Sequence, residues 1–242
     1  MKTWWNSCDG KTGRLAYRWR CRKLLFAVLF SSLVPAVCFA ALTSSQRQIE
    51  LVKMLSEMMT SATPGIAEQE RQDIISRYLE GKLHRAMAVQ DSYRHYFVSE
   101  GHDDVASAAE RTLEGCQLRF AKACAIVAVD DNPSLETLVF KEMPRLGYSG
   151  EFDLSRIPAI SANLRSRKDV QSYFTAPAPK AMVIHPLGFV FTSFGEQSPR
   201  DAQADALRRC NGDTLRAGAE GPCFVYAVGN SVVLPERLKA PK

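Results

Sequence analysis

Four sequence blocks recur in the same order in two parts of this chain, and the repetition limits the fold more than any other feature. The first copy lies within residues 84–129 and the second within residues 179–228. The paired blocks are His84–Val89 with Pro179–Ile184, Tyr96–Gly101 with Val190–Gly195, Ala106–Cys116 with Arg200–Cys210, and Cys124–Val129 with Cys223–Val228. Four matching blocks in one order are hard to obtain by chance, so the sequence predicts an internal duplication.

Each copy is predicted to run strand, strand, helix, strand. The first two blocks are short, rich in β-branched or aromatic residues and bounded by turn residues, which is typical of strands. The third block is rich in alanine and follows a capping residue. Ser198 precedes Pro199 in the second copy, and Asp104 occupies the equivalent cap position in the first. Helix-start signals at matching places support the alignment independently.

Four cysteines fall within the repeats, two in each copy, and they predict one disulfide per copy. In each copy one cysteine ends the helix and the other begins the last strand, which favours Cys116–Cys124 and Cys210–Cys223. Pairing across the copies, such as Cys116 with Cys210, would require the two helix ends to meet. A zinc site is the other alternative, but the gaps of seven and twelve residues lack the short spacing of zinc knuckles.

A leader precedes the repeats. A basic cluster around Arg22 and Lys23 is followed by a nearly continuous apolar run, Leu24–Ala40, which together are typical of a secretory signal peptide over residues 1–40. Small side chains at Cys38 and Ala40 predict cleavage between Ala40 and Ala41. An uncleaved membrane anchor is the alternative, because the run approaches the ~20 residues that span a bilayer. Lipid attachment at Cys38 is disfavoured by the preceding Val37, and the long basic region leaves a start downstream of Met1 open.

The charge balance argues against nucleic-acid binding. The whole chain carries 31 basic and 26 acidic residues, but seven of the basic residues and only one acidic residue lie before residue 41. Residues 41–242 therefore hold 24 basic and 25 acidic residues. Since nucleic-acid-binding proteins are usually basic, we expect no nucleic-acid partner for this part of the chain.

The fold class predicted from these patterns is α+β, with two duplicated strand-strand-helix-strand units packed together behind an N-terminal helical segment. A unit of about 45 residues is too small for an ample core of its own, which favours packing of one unit against the other. The predicted organisation is a signal peptide (1–40), a helical segment (41–82), a first unit (83–132), a connecting segment (133–178), a second unit (179–234) and a flexible tail (235–242). A Gly229-Asn230 turn predicts a hairpin at the end of the second unit.

The helical segment carries an apolar stripe at spacings of three and four residues. Its members are Ile49, Val52, Leu55, Met58 and Met59. Packing against the domain is the expected role of this stripe, and a helix that binds a partner is the alternative.

Two stretches of the second copy, Ala206–Asn211 and Pro222–Asn230, resemble a bacterial exported domain family of unknown function. In that family an alanine-rich helix ends in cysteine and a strand that begins with cysteine follows. The resemblance covers about the last seventy residues well and the first unit loosely. It implies a small disulfide-bearing extracytoplasmic module that is often joined to other domains, and it brings no catalytic residues.

Candidates for chemistry are few. His95 and His102 flank Glu100, with Asp103 and Asp104 following, and this set would serve a metal or a hydrolase. The second copy repeats neither histidine, so capping and turn roles are the simpler interpretation. No nucleophile elbow and no phosphate-binding glycine loop is present. Aromatic side chains near the second strands offer a recognition patch, although core packing is the simpler role: Tyr93, Tyr96, Phe97, Phe189, Phe191 and Phe194.

The sequence therefore favours an exported, non-enzymatic binding module of the bacterial periplasm or cell exterior, stapled by two disulfides. Its expected partner is a protein or another envelope component, and it is expected to need no cofactor and no metal. Contact with the membrane is expected only through an uncleaved leader. The alternatives are an extracytoplasmic hydrolase that would use His95, Glu100 and His102, or a structural envelope protein anchored by the leader.

Overall fold

The structure is a computed structural model that describes residues 44–92, 95–134, 138–214 and 221–239. The predicted signal peptide and its cleavage site between Ala40 and Ala41 lie outside the described residues. The described residues form a mixed α+β fold with an N-terminal helical segment, as the sequence predicts. None of the described helices combines the length and the hydrophobicity that a bilayer-spanning helix needs.

The described chain contains seven α-helices, one short 3₁₀ helix (η1) and nine strands. The helices are α1 (Ser44–Ala62), α2 (Glu68–Glu80), α3 (Val105–Phe120), α4 (Ala162–Arg165), α5 (Lys168–Gln171), α6 (Pro199–Gly212), α7 (Leu234–Lys239) and η1 (Leu154–Arg156). The strands are β1 (Ala86–Gln90), β2 (Tyr96–Ser99), β3 (Cys124–Val129), β4 (Asn132–Pro133), β5 (Gly150–Glu151), β6 (Lys180–Ile184), β7 (Val190–Phe194), β8 (Phe224–Val228) and β9 (Ser231–Val232).

The two copies have the same sheet topology. The first antiparallel sheet has the order β2-β1-β3-β4, and the second has the equivalent order β7-β6-β8-β9 with β5 added beside β9. Aligned residues also share the same register, since Ala88 faces Phe97 and its counterpart Val183 faces Phe191. The structure thus supports the duplication strand by strand.

Irregular backbone is repeated as well. The pairing of the first strand with the third shifts register between Met87 and Ala88, and at the matching place between Met182 and Val183. The hairpin turn after the third strand has a left-handed residue in each copy, Asp130 at φ 48° and Gly229 at φ 57°. Such bulges and turns set strand direction, so their recurrence means that the two sheets are bent in the same manner.

Each sheet lies between two helical layers. Because side chains alternate along a strand, Met87 and Val89 of β1 face α1 and α2, whereas Ala88 faces α3. The second sheet repeats this alternation. Met182 and Ile184 face the segment that contains α4, α5 and η1, while Ala181 and Val183 face α6.

The helices begin as the sequence predicts. The Asp104 carboxylate accepts a hydrogen bond from the Ser107 N–H at 2.7 Å, and the Ser198 hydroxyl accepts one from the Asp201 N–H at 3.2 Å. Three small or polar residues of α3, spaced four apart, are buried against the first sheet, and α6 buries the equivalent three. These residues are Ala108, Thr112 and Cys116 in α3, and Ala202, Ala206 and Cys210 in α6.

Two local predictions need correction. The stripe on α1 buries Leu55 and Met59, but Ile49 is 65% exposed because it lies on the outer side of the helix. The segment predicted as a flexible tail, 235–242, is helical as far as Lys239. Leu234 and Pro235 are buried where α7 packs on β8, which holds the start of this segment in place.

The duplication extends further towards the N-terminus than the four sequence blocks. Tyr78 at the end of α2 and Tyr173 after α5 are both fully buried, and both lie seven residues before a buried cation, Arg85 or Lys180. The Arg85 guanidinium lies 5.1 Å from the Tyr78 ring centre, and the Lys180 ammonium 5.2 Å from the Tyr173 ring centre. Each repeat therefore includes the helical turn before its first strand.

Candidate functional site

Both disulfides favoured by the duplication are present. Cys116 is bonded to Cys124 and Cys210 to Cys223, with a Cα–Cα distance of 6.3 Å in each bridge. Each bond joins the C-terminal part of the long helix to the start of the third strand of the same unit, at the first residue of β3 and at the residue before β8. The four cysteines are therefore committed to cross-links, and none of them is available as a thiolate nucleophile or metal ligand while the bridges are intact.

The histidine set predicted for a metal or a hydrolase does not converge. His95 stacks on Phe120 with ring centres 5.0 Å apart, and Glu100 accepts a hydrogen bond from the Lys82 N–H at 3.0 Å. The His102 Nε2 atom instead lies 2.8 Å from the Ser99 hydroxyl. Within the described ranges, no group of three histidine, cysteine or acidic side chains is placed to hold a metal ion.

The Ser99–His102 pair has the geometry of a nucleophile and a general base, but the second copy indicates another role. The Ser99 hydroxyl also lies 2.6 Å from the Thr112 hydroxyl on α3. At the matching positions of the second copy, the Ser193 hydroxyl donates to the Glu196 carboxylate at 3.0 Å. In both copies, therefore, a serine near the end of the second strand is hydrogen-bonded to the loop that leads into the helix. Its partner in that loop is His102 in the first copy and Glu196 in the second.

Electrostatics agree with a fastening role for His102. Burial lowers the pKa of this imidazole, and the nearby Arg111 guanidinium lowers it further, against a smaller opposing effect of Asp103. Arg111 itself is paired with Asp103 at 2.6 Å. The folded environment therefore favours the neutral imidazole of His102, which is hydrogen-bonded to Ser99.

The aromatic side chains near the second strands do not form one surface patch. Phe97 is 7% exposed and packs under α3, whereas Tyr96 packs on the opposite side of the sheet, with the α1–α2 cluster. In the second copy, Phe191 packs with α6 and Phe194 with the core around Tyr173. The ring centres of Phe189 and His185 are 5.8 Å apart, and Tyr93 lies outside the described residues. Core packing therefore accounts for Tyr96, Phe97, Phe191 and Phe194.

The junction between the two units is built on α3. Glu114 is 1% exposed and accepts hydrogen bonds from the Ala159 N–H at 2.7 Å and from Arg145 Nε at 2.5 Å. A Cβ atom on Gly115 would lie 2.5 Å from the Pro186 carbonyl oxygen, so the second unit approaches the α3 backbone closely. Leu118 completes the junction by packing in the core of the second unit.

A cleft of about 640 Å³ lies between α1, the end of α2 and the turn between β3 and β4. This volume is within the range of sites that bind small molecules or short peptide segments. Three of its lining side chains are apolar and five are polar or charged. The lining residues are Leu51, Met54 and Leu79, together with Arg47, Gln48, Glu50, Arg85 and Asp131.

Arg85 is the buried charge of this cleft, with 6% of its surface exposed. Its Nη1 group donates to the Gly81 carbonyl at 2.9 Å, and its Nη2 group donates to the Asp131 carboxylate at 2.7 Å. The Nε–H is buried and has no hydrogen-bond partner among the described residues. The Nε groups of Arg71 and Arg165 are likewise buried without a partner in the described part of the chain, but neither residue lines the cleft. Arg85 combines such a donor with a place in the cleft wall, which makes it a candidate ligand contact.

The equivalent cation in the second unit is fully used. The Lys180 ammonium donates to the carbonyl oxygens of Tyr173, Phe174 and Ala176 at 2.7, 2.6 and 3.1 Å. An ammonium has three donors, so these contacts satisfy it. The first unit thus combines the buried cation with an open cleft and an incompletely satisfied donor, whereas the donors of Lys180 are all used.

Sequence reasoning missed this cleft because its residues come from four segments of the chain, α1, α2, the residue before β1 and the β3–β4 turn, and carry no motif. Neither a protein-family model, nor a curated protein, nor a solved structure matches the chain. The resemblance to an exported bacterial domain family therefore stays a prediction from the sequence.

Proposed function

We propose that this protein is exported and acts as a non-enzymatic binding module in the bacterial periplasm or outside the cell. Its ligand would be a protein or another envelope component, bound in the cleft between α1, α2 and the β3–β4 turn. The observation that carries the proposal is the placement of the buried Arg85 beside apolar Leu51, Met54 and Leu79 in this cleft. Such a mixture of one oriented charge and apolar surface is typical of ligand sites.

Export is supported by the leader and by the cross-links. Residues 1–40 have the three parts of a signal peptide, and disulfides persist mainly in oxidising compartments. The four cysteines of the repeats are all bridged.

A binding role is favoured over hydrolysis because the candidate catalytic residues have structural contacts instead. His95 lies against Phe120, Glu100 accepts a hydrogen bond from the Lys82 N–H, and His102, in the loop after β2, is hydrogen-bonded to Ser99 at the end of that strand. The cleft contains none of these three residues.

Export is tested by the intact mass of the protein recovered from the periplasm or the medium, with and without reductant before alkylation. We expect a chain that starts at Ala41 and whose four cysteines react only after reduction. A product that retains Leu24–Ala40 would favour the anchored structural protein, and free thiols would contradict export to an oxidising compartment.

Binding is tested by site-specific photo-crosslinking in cells that express the exported protein. A photoreactive phenylalanine analogue replaces Gln48, which lines the cleft, and a control carries it at Lys53 of the same helix, whose side chain is 75% exposed outside the lining. We expect a discrete adduct at position 48 and none at position 53. Equal labelling at both positions, or no adduct at position 48, would refute the cleft as the binding site.

A further inference from the structure

Arg85 lines the cleft, and of the two adjacent donors on one edge of its guanidinium, Nε–H and Nη2–H, only Nη2 has a hydrogen-bond partner within the described ranges. The Nε–H and one Nη2–H of an arginine lie side by side and match the two oxygens of a carboxylate. Here Asp131 takes the Nη2 donor at 2.7 Å, while Nε has no partner among the described residues. The side chain of Asp131 is 68% exposed, so it reaches the buried arginine from the surface.

We propose that the cleft binds the free C-terminal carboxylate of a peptide, which displaces Asp131 and bridges both Nε and Nη2 of Arg85. This inference rests on the proposed function and names its ligand. In this arrangement Asp131 is an internal competitor that keeps the arginine neutralised while the cleft is empty. The exposed Arg47, which also lines the cleft, adds a second positive charge that attracts the carboxylate, and the Glu50 carboxylate of the same lining opposes this attraction.

The remaining lining favours a peptide over a fatty acid. Leu51, Met54 and Leu79 offer apolar contact for an aliphatic last side chain. Gln48 and Glu50 supply oxygen acceptors, which suit the amide N–H groups of a peptide and have no donor to meet on an acyl chain.

The second unit supports this assignment by contrast. Lys180 occupies the place of Arg85 but gives its donors to three carbonyl oxygens, so it has none left for a ligand. Asn230 occupies the place of Asp131, at the same position of the equivalent hairpin. The first unit thus has both the competing Asp131 carboxylate and an arginine whose Nε donor is left unused by the residues described.

The test uses nuclear magnetic resonance on the exported, oxidised protein labelled with ¹⁵N, because the Nε–H group of Arg85 gives its own signal. The probe is the peptide N-acetyl-Gly-Ala-Leu with a free carboxylate, compared with the same peptide ending in an amide. We expect the acid to shift the Arg85 Nε–H signal and to bind about tenfold more tightly than the amide, as a charge-assisted hydrogen-bond pair requires.

The decisive variant is Asp131→Asn, which introduces the residue of the second unit. We expect it to tighten binding of the acid several-fold, since the competitor is removed, whereas a residue that merely supports the cleft would weaken binding when altered. Asp91→Asn, in the β1–β2 turn of the same unit, is the matched control and should leave the affinity unchanged.

Equal affinity for acid and amide, weaker binding by Asp131→Asn, or no binding of either peptide would overturn this inference. So would binding of laurate in place of the peptide. If the adduct at position 48 persists in any of these cases, the cleft is still a binding site for another ligand. Loss of that adduct is the outcome that refutes the proposed function itself.

Discussion

The long helices of the two units occupy equivalent places but meet different surroundings. In α3 one side packs on the first sheet, and a second side, with Glu114, Gly115 and Leu118, packs on the second unit. In α6 the residues that align with Glu114 and Gly115 are Arg208 and Arg209, whose side chains are 77% and 55% exposed. The same repeat thus serves as an interior element in one copy and as a surface element in the other.

This difference shows that contacts shared by both copies specify the fold of each unit. Contacts found in one copy specify how the two units pack against each other. Shared features include the capped helix start, the bulge, the disulfide and the buried cation over tyrosine. The Glu114 and Gly115 contacts occur in the first copy only, because one helix alone is covered by the other unit. Substitutions at aligned positions separate the two classes.

The largest effect is expected at the buried carboxylate. Glu114→Ala leaves the Ala159 N–H without its acceptor and takes one carboxylate from Arg145, so we expect a loss of about 3–5 kcal/mol in the free energy of unfolding. The aligned Arg208→Ala should change it by less than about 0.5 kcal/mol. Urea denaturation followed by circular dichroism measures both. If Glu114→Ala lowered the free energy of unfolding as little as Arg208→Ala, the junction would contribute little to stability.

Removal of each disulfide tests whether loop length or burial dominates. The bridges close separations of 8 and 13 residues, and loop entropy alone gives about 3 kcal/mol for each, with the longer loop favoured by only a few tenths of a kcal/mol. Cys116 and Cys124 are both fully buried, whereas Cys223 is not.

We therefore expect Cys116→Ala with Cys124→Ala to destabilise more than Cys210→Ala with Cys223→Ala, in equilibrium unfolding without reductant. The reverse order would mean that loop closure outweighs the packing of the sulfur atoms.

A smaller effect is expected at the close approach between the units. A Cβ on Gly115 would meet the Pro186 carbonyl oxygen and the Phe97 ring at 2.5 Å, so Gly115→Ala should destabilise by about 1–3 kcal/mol despite the better helix propensity of alanine. Arg209→Ala is the aligned control and should be nearly neutral. Thermal unfolding of the two variants distinguishes them, and a stabilised Gly115→Ala protein would contradict the close contact.

The smallest effect concerns pH. Because the folded state lowers the pKa of His102 below its ordinary 6.5, the unfolded chain binds more protons in the range just below that value. Stability therefore rises with pH through this window, and His102→Gln should flatten that rise. The second unit has Glu196 at the aligned position, where this contribution does not exist. Urea midpoints between pH 5 and 7.5, with His95→Gln as control, measure the slope, and an unchanged slope would exclude His102 as its source.

Much of the fold was predictable because its sequence signals are local and most of them recur in both copies of the repeat. The α+β class, the two disulfides, the Asp104 and Ser198 caps and the Gly229–Asn230 hairpin each depend on residues close together in sequence. Comparing the two copies gave the caps and the disulfides an internal check.

The true extent of the repeat was harder to predict. Tyr78 and Tyr173 are identical but isolated matches, Arg85 and Lys180 match only in charge, and the helices before them differ in length. The helical and connecting segments were consequently separated from the units to which their last turns belong.

The cleft and the junction were not predictable, because they depend on how distant elements meet. Arg85 and Asp131 are 46 residues apart, and Glu114 contacts Ala159 over 45 residues. No periodicity or spacing rule relates such pairs. A buried charge without a full set of partners becomes visible only when the surrounding backbone is in place.

The local disulfides have a consequence for oxidative folding. Each native bridge joins cysteines that are 8 or 13 residues apart, whereas a bridge from one helix end to the other would close a loop of more than ninety residues. Effective concentration falls with loop length, so random oxidation of the unfolded chain already favours the native pairs by roughly tenfold or more. Each unit can acquire its own bond before the two meet. The protein therefore needs an oxidant on its way to the folded state, but little correction by a disulfide isomerase.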